Sequence, residues 1–183
     1  MNDTFFEVPR NKQDRFLPNH IYNRNKNQLE TIQNDSFRIT DFDSGGGGLI
    51  STAYDYMIFA ESLRNGGEFK GKRILGEKTL KYMVKNHLPP TVSGIGRGES
   101  PTDPAVAART FGLGFGISNN PQVASVIGSK GSYSWGGAAG TIFWVDPVED
   151  LVVVSMIQLM RSPWTLRNDL RVATYQSLTE SNE

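Results

Sequence analysis

Tyr56, Phe59, Ala60 and Leu63 recur at intervals of three and four residues, the spacing of one face of an α-helix. Thr52, just ahead of this run, is a residue type that caps helix N-termini through its hydroxyl, and Asp55 complements the exposed N–H groups of the first turn. Asn65-Gly66-Gly67 ends the run. A second helical pattern spans Glu77 to Asn86, with Leu80, Met83 and Val84 inward, and Pro89-Pro90 prevents its continuation. Beyond a Gly-, Ser- and Pro-containing loop at 91–110 the period drops to two. Phe111, Leu113, Phe115 and Ile117 alternate with glycines. Thr141–Val145 and Leu151–Ile157 are rich in β-branched and aromatic residues, as strands are. Asp146-Pro147-Val148-Glu149-Asp150 between them has the composition of a hairpin turn. A last helix is expected with Ser162 as cap, Pro163 at the first helical position, and Leu166, Leu170, Ala173 and Leu178 on its apolar face.

Residues 1–44 show no period. They are polar, with Pro9 and Pro18 and many Asn, and read as mostly irregular chain pinned by Phe5, Phe6, Phe16, Tyr22, Phe37 and Phe42. So long an aperiodic stretch is uncommon inside a compact domain, which points to surrounding structure beyond it. The expected order within residues 1–183 is a surface loop region (1–50), a helical part (51–90), antiparallel strands (111–159) and a C-terminal helix (162–179). This is an α+β layout, an antiparallel sheet flanked by helices.

Composition narrows the function more than the fold. The chain has 183 residues, 38% hydrophobic and 21% charged, with a formal net charge of zero, which fits one globular domain rather than a disordered chain. A nucleic-acid binder would carry a basic stripe, and Lys70, Lys72 and Arg73 form only a short cluster read as a solvated turn. With no cysteine, disulfides, thiolate nucleophiles and Cys-based zinc sites are excluded. His20 and His87 have no partner at metal-ligand spacing, so neither a metal nor a cofactor is expected. No apolar run approaches the ~20 residues of a membrane span. The N-terminus lacks the pattern of a signal peptide. The compartment stays open, since any export signal would lie upstream of Met1.

Several motifs have ordinary readings. Asp43-Ser44 followed by Gly45–Gly48 could cradle a phosphate at a helix start, but no Gly-Lys-Ser/Thr follows. Gly112-x-Gly114-x-Gly116 lies in a strand pattern, not at a strand-to-helix turn. Asp41 and Asp43 read as turn residues. There is no Gly-x-Ser-x-Gly elbow and no Ser-x-x-Lys, and Tyr175-Gln176-Ser177 falls in the last helix. Ser129, beside Lys130, and Ser134 are candidate nucleophiles only through their neighbours. The segment Gly131–Thr141 is different: small residues crowd one tryptophan, Trp135, before a strand. It reads equally as a place where substrate approaches the backbone near oxyanion donors, or as a plain hairpin with a core tryptophan.

The chain resembles the β-lactamase-related serine hydrolases: class C β-lactamases, family VIII carboxylesterases and penicillin-binding-protein-like enzymes. Met1-Asn2-Asp3-Thr4-Phe5 is similar to their Leu-Gly-Met-x-Asp-Thr-x-Phe passage. Ser44 through Thr52, with Asp55 and Tyr56, looks like their glycine turn and following helix. Gly66-Gly67, Ile74-Leu75-Gly76 and Met83 fall where that family has its next helix. Phe111-Gly112-Leu113-Gly114-Phe115 resembles the strand before their third active-site motif. Trp135-Gly136-Gly137 through Trp144-Val145-Asp146-Pro147 matches that motif and the strand after it.

The resemblance implies the C-terminal part of a β-lactamase/transpeptidase-like fold. Its family chemistry is attack by a Ser-x-x-Lys serine on an ester, β-lactam or peptide carbonyl, assisted by a Tyr motif. Both motifs precede the part of the pattern matched here, so no catalytic nucleophile is expected in this chain. The residues carried over are Trp135, Gly136 and Gly137 as the third motif, and Ala138, whose N–H would form half of the oxyanion hole. The Trp-Gly-Gly form favours esters over β-lactams as the small-molecule substrate. The alternative is a non-catalytic binding module. Either way the resemblance implies an open edge at 151–157, suited to a separate N-terminal half or to self-association.

Overall fold

A computed structural model describes residues 1–32, 42–92, 94–95, 108–123, 126–180 and 182. Most of the loop expected at 91–110 lies outside these residues, as do Phe37 and Asp41. A 3-10 turn (Arg10–Arg15) is followed by β1 (Asn19–Asn23), β2 (Gln28–Ile32), α1 (Ala53–Arg64), the two-residue strands β3 (Glu68–Phe69) and β4 (Lys72–Arg73), and α2 (Glu77–Met83). Then come β5 (Arg109–Phe111), β6 (Gly116–Ser118), β7 (Tyr133–Gly136), β8 (Gly140–Asp146), β9 (Leu151–Met160) and α3 (Leu166–Gln176). Seven strands form one sheet in the order β2-β1-β9-β8-β7-β6-β5, and β3-β4 pair separately. The α+β expectation holds. One pairing departs from the antiparallel expectation: β1 meets β9 in parallel, His20 opposite Leu159 and Ile21 opposite Met160.

Helix α1 is built as its sequence dictates. The Thr52 hydroxyl accepts the Asp55 N–H at 3.2 Å. At the other end Gly66 and Gly67 adopt left-handed φ angles of 69° and 94°. Gly67 N–H then reaches Ser62 O at 2.7 Å and Gly66 N–H reaches Leu63 O at 3.2 Å, which satisfies the last carbonyls. Ala60 and Leu63 are buried and meet Phe115, Ile117, Tyr133, Phe143 and Val145 of the sheet in one core, with Tyr56 and Phe59 packed at its margin. This core sits between the helices and one face of the sheet.

Asp55 does more than complement a helix start. Its Oδ2 accepts the Asp3 N–H at 2.7 Å and the Thr4 hydroxyl at 2.9 Å, while Phe5 and Ile50 exchange backbone bonds of 2.8 and 2.9 Å. The N-terminal segment is thus strapped to the head of α1. Burial opposes the charge on Asp55, yet the Asp3 N–H and the Thr4 hydroxyl outweigh it and hold the carboxyl below its ordinary 3.8. A lowered folded-state value gives stability that is present above the ordinary pKa and lost as pH falls through the folded one. Hydrogen exchange of residues 1–9 is therefore expected to accelerate as pH drops from 5 through 3.8 and below, ahead of the sheet, after correction for intrinsic exchange rates. An Asp55→Asn variant should show a smaller step, the remainder belonging to Asp3, which Lys12 and Arg15 hold below its ordinary value; an identical step there would mean that Asp55 does not control the strap.

Four sequence expectations change in the structure. The aperiodic N-terminal region contains the β1–β2 hairpin. Its turn is fixed by Asn23 Oδ1, which accepts the N–H groups of Asn25 and Lys26 at 3.0 and 3.2 Å, and by Asn27 in the left-handed region. None of its strand residues is fully buried, so no apolar alternation marked it. Helix α2 stops at Met83 rather than Asn86, because Met83 O accepts the Leu113 N–H at 2.8 Å and His87 N–H turns to Phe111 O at 2.8 Å. The alternating run at 111–117 is a hairpin, not one strand: Gly114 takes a φ of 95° and Gly112 N–H bonds Phe115 O at 2.8 Å. Finally, α3 starts at Leu166, since the Ser162 hydroxyl accepts the Trp164 N–H at 3.1 Å and closes a turn of its own.

The inward side of α3 also differs from expectation. Leu166 and Ala173 face solvent, whereas Arg167, Arg171 and Tyr175 turn toward the sheet with Leu170. Arg171 is only 8% exposed and stands 4.5 Å over the fully buried Trp144 ring. The Tyr175 hydroxyl donates to Asp146 Oδ2 at 2.6 Å and its ring stacks on Trp144. Asp146, at the end of β8, has no solvent exposure and also accepts the N–H groups of Ser129 at 2.9 Å, Val148 at 3.1 Å and Glu149 at 3.3 Å. It anchors the β8–β9 turn, the 128–132 segment and α3 together.

Candidate active-site cleft

The Trp-Gly-Gly segment ends β7 and turns into β8. Trp135 pairs with Phe143 and Gly136 with Ile142 across the ladder. Gly137 N–H donates to Thr141 O at 3.0 Å and to Thr141 Oγ1 at 3.1 Å, and Gly140 N–H returns to Gly137 O at 3.1 Å. Ala139 O accepts the Leu159 N–H at 2.8 Å, which ties the turn to β9. The Ala138 N–H has no acceptor among the described residues. Gly136 is sterically required, since a Cβ there would lie 2.8 Å from Thr141 O of the backbone; one on Gly137 would lie 2.5 Å from Thr141 Oγ1 and displace that hydroxyl.

Of the two readings left open by the sequence, the core-tryptophan one fails for Trp135. It is 50% exposed and packs edge-on against Phe111 at 5.0 Å between ring centroids. Trp144 on β8 is the buried tryptophan, on the opposite face of the sheet. Trp135, Gly136 and Gly137 border two hollows. On the α1 face a cleft of about 630 Å³ is lined by them together with the Gly45–Gly48 turn, Tyr56, Phe143 and Met156. On the α3 face a groove of about 990 Å³ is lined by them, Ala138, Ser132, Ser134 and four arginines, 109, 161, 167 and 171. The motif therefore stands on the partition between an apolar cleft and a basic groove. The glycine run, by its sequence a turn before a helix, lines this cleft with Trp135, Gly136, Gly137 and Tyr56. Burial pushes the Tyr56 hydroxyl above its usual range.

The other candidates resolve individually. Ser129 is buried, with its N–H committed to Asp146 and Lys130 facing solvent, and it borders neither hollow. Ser134 lines the basic groove. The Tyr175 hydroxyl is raised far above the phenol range, by burial first and then by Asp146, so it stays a donor rather than a base. His20 meets Gln158 O at 3.3 Å, His87 meets Tyr82 O at 2.8 Å, and Asp43 is exposed. Among the described residues there is no cluster of His, Asp or Glu that could hold a metal, and no helix is long and apolar enough to cross a membrane.

A Gly136→Ala substitution must push the Thr141 carbonyl away. It is expected to cost ~1–3 kcal/mol as local overpacking. The check is chemical denaturation alongside the Trp135 emission spectrum, which should shift as the β7–β8 end opens. An unchanged midpoint would show that the turn accommodates a methyl group freely.

Comparison with known proteins places the fold. The family model described as Beta-lactamase matches residues 1–176. The chain belongs to that family. Protein Rv1367c of Mycobacterium tuberculosis is 32% identical over 120 residues, which is 64% of this chain and 29% of that protein. Among solved structures, simvastatin synthase (LovD) from Aspergillus terreus superposes with a TM-score of 0.75 at 21% identity, covering 97% of this chain and 47% of that one. EstCE1, a hydrolase with promiscuous acyltransferase activity, gives 0.72 at 19% identity, covering 94% and 45%. At such identities the two structures speak for the fold alone. The chain spans less than half the length of each.

Proposed function

We propose that this chain forms the third-motif side of the active site of an acyl-transferring serine hydrolase, with small esters as substrates. The carrying observation is the exposed Trp135, which borders both hollows, together with an Ala138 N–H on the adjoining groove that has no acceptor among the described residues. Trp135 would wall the acyl group. Gly136 and Gly137 would let the turn close tightly on Thr141 and Arg167 and so fix the Ala138 N–H. The Ala138 N–H would stabilise the developing oxyanion, a contribution worth ~10²–10³ in rate for one donor. Trp135 stands where a β-lactamase of this family presents the Lys of Lys-Thr-Gly, which removes a cation for a β-lactam carboxylate and favours uncharged esters. Without a Ser-x-x-Lys among the 183 residues, the chain by itself has no nucleophile for this chemistry.

The test is to sequence the DNA immediately upstream of Met1 and assay the products. If an in-frame Ser-x-x-Lys is present, the longer product is expected to hydrolyse p-nitrophenyl acetate and to react with a fluorophosphonate, while the present chain does neither. Stoichiometric fluorophosphonate labelling of the present chain would overturn the proposal and redirect attention to Ser134.

A second reading, a binding half that docks onto a separate partner, is favoured by one observation. Among the described residues the outer edge of β9 meets β1 only at Gln158, through the His20 ring, and at Leu159 and Met160. An open edge is a template for strand addition. Sedimentation equilibrium of the chain alone and mixed with an N-terminal half tests this reading: a complex in the mixture supports docking, and no complex in the mixture argues against it.

A further inference from the structure

The glycine at position 136 has a second neighbour, behind the sheet. A Cβ there would come 3.1 Å from both Cζ and Nη2 of Arg167, so the guanidinium lies directly against the backbone of the motif. It reaches there from the first turn of α3. Its Nε donates to Gly140 O at 3.2 Å, and its Nη2 donates to Thr141 O at 2.9 Å and to Gly137 O. Three carbonyls of a single turn thus converge on one cation. Arg167 is itself held in place one and two turns along α3, where Arg171 sits over Trp144 and Tyr175 is bonded to Asp146.

Gly137 O and Ala138 N–H belong to the same peptide group. A cation hydrogen-bonded to the carbonyl end of an amide draws electron density toward the oxygen and makes the N–H a stronger donor. The same bond fixes the plane of the peptide, and with it the direction of the N–H. We infer that Arg167 is a positioning residue for the oxyanion donor: its guanidinium holds and polarises the Gly137–Ala138 peptide from behind, and Gly136 lacks a side chain to give it room. This rests on the reading of Ala138 given under Proposed function. It adds a residue from α3, which lines the basic groove together with Ala138.

The test follows the amides of the full 183-residue chain labelled with ¹⁵N, comparing wild type, Arg167→Gln and Arg167→Lys. Glutamine keeps a donor of similar reach without the charge; lysine keeps the charge without the fork. In Arg167→Gln the Ala138 amide proton is expected to move upfield and, as a less acidic N–H, to exchange severalfold more slowly in the base-catalysed regime. The amides of Tyr133, Val145 and Val153 should stay put. In Arg167→Lys the Ala138 shift should return most of the way to wild type. Three results would overturn the inference: an unchanged Ala138 amide in the glutamine variant, a change of equal size across all of β7–β9, or a lysine variant no better than glutamine. If the glutamine variant does not fold, the lysine variant decides alone, because an Ala138 amide displaced further than the control amides would show that charge is not what matters. None of these readouts involves turnover. A longer product that proved inactive would sink the hydrolase reading and leave the effect of Arg167 on the peptide standing.

Discussion

Replacing Asp146 by alanine is expected to destabilise the protein by ~3–5 kcal/mol, the scale for deleting the shared acceptor of a buried polar network. The carboxyl has no solvent exposure and four donors point at it: the Tyr175 hydroxyl and the N–H groups of Ser129, Val148 and Glu149. Alanine leaves the Ser129 N–H and the Tyr175 hydroxyl facing a void, with Arg171 close by and also deprived of a nearby counter-charge. Urea titration should show a lower midpoint with an unchanged slope. Tyr175→Phe should cost only ~1 kcal/mol, the net worth of one hydrogen bond. The double variant should then be clearly less destabilised than the sum of the two, because the partners are shared. Full additivity would mean that Tyr175 and Asp146 act independently.

Phe143→Ala is expected to cost a similar amount, ~3–5 kcal/mol, by opening a cavity in the main core. Phe143 is 4% exposed and lies 5.2 Å from the Tyr56 ring and 6.1 Å from Phe115 between centroids. It also floors the apolar cleft, so the effect should reach the candidate site. Burial is what raises the Tyr56 hydroxyl. Admitting water beside it should bring that hydroxyl back toward its ordinary value of 10.0, and an alkaline absorbance titration reads this directly. Phe143→Leu, which keeps most of the volume, should cost much less and leave Tyr56 raised. A Tyr56 titration unchanged by alanine would show that the core closes over the gap.

The parts of this molecule that were legible in its sequence are those where local chemistry and tertiary packing agree. Thr52, the apolar face of α1 and the Gly66-Gly67 stop each act within a few residues, and α1 is formed between them. The β8–β9 hairpin is likewise specified by β-branched content and by Asp146, whose Oδ1 closes the turn. Elsewhere the deciding partner is remote. Arg167, Arg171 and Tyr175 recur every four residues, but three polar residues at that spacing normally mark a solvated face. They face inward because of carbonyls at 137–141, a tryptophan at 144 and an aspartate at 146. The β1–β2 hairpin has no apolar face to betray it. Trp135 and Trp144 are the same residue type, both in β segments. Only the pairing of Trp144 with Ser134, which puts it on the other face from Trp135, decides which is buried. Trp135-Gly136-Gly137 was readable as a resemblance to the family's third motif. The hydrogen bonds from Arg167 to this turn were not, since Arg167 lies thirty residues from Gly137 and no short motif joins them.

The parallel contact between β1 and β9 sets a ruler along the sheet margin. Among the described residues no strand pairs with the outer side of β9 from Leu151 to Ile157, and at Gln158, whose carbonyl meets the His20 ring, the hairpin begins. At ~3.4 Å per residue this allows an incoming strand about 24 Å of ladder. A segment of up to seven residues could therefore add without displacing the hairpin. A longer one must peel His20 and Ile21 away from β9, so that its binding would free the hairpin as a consequence.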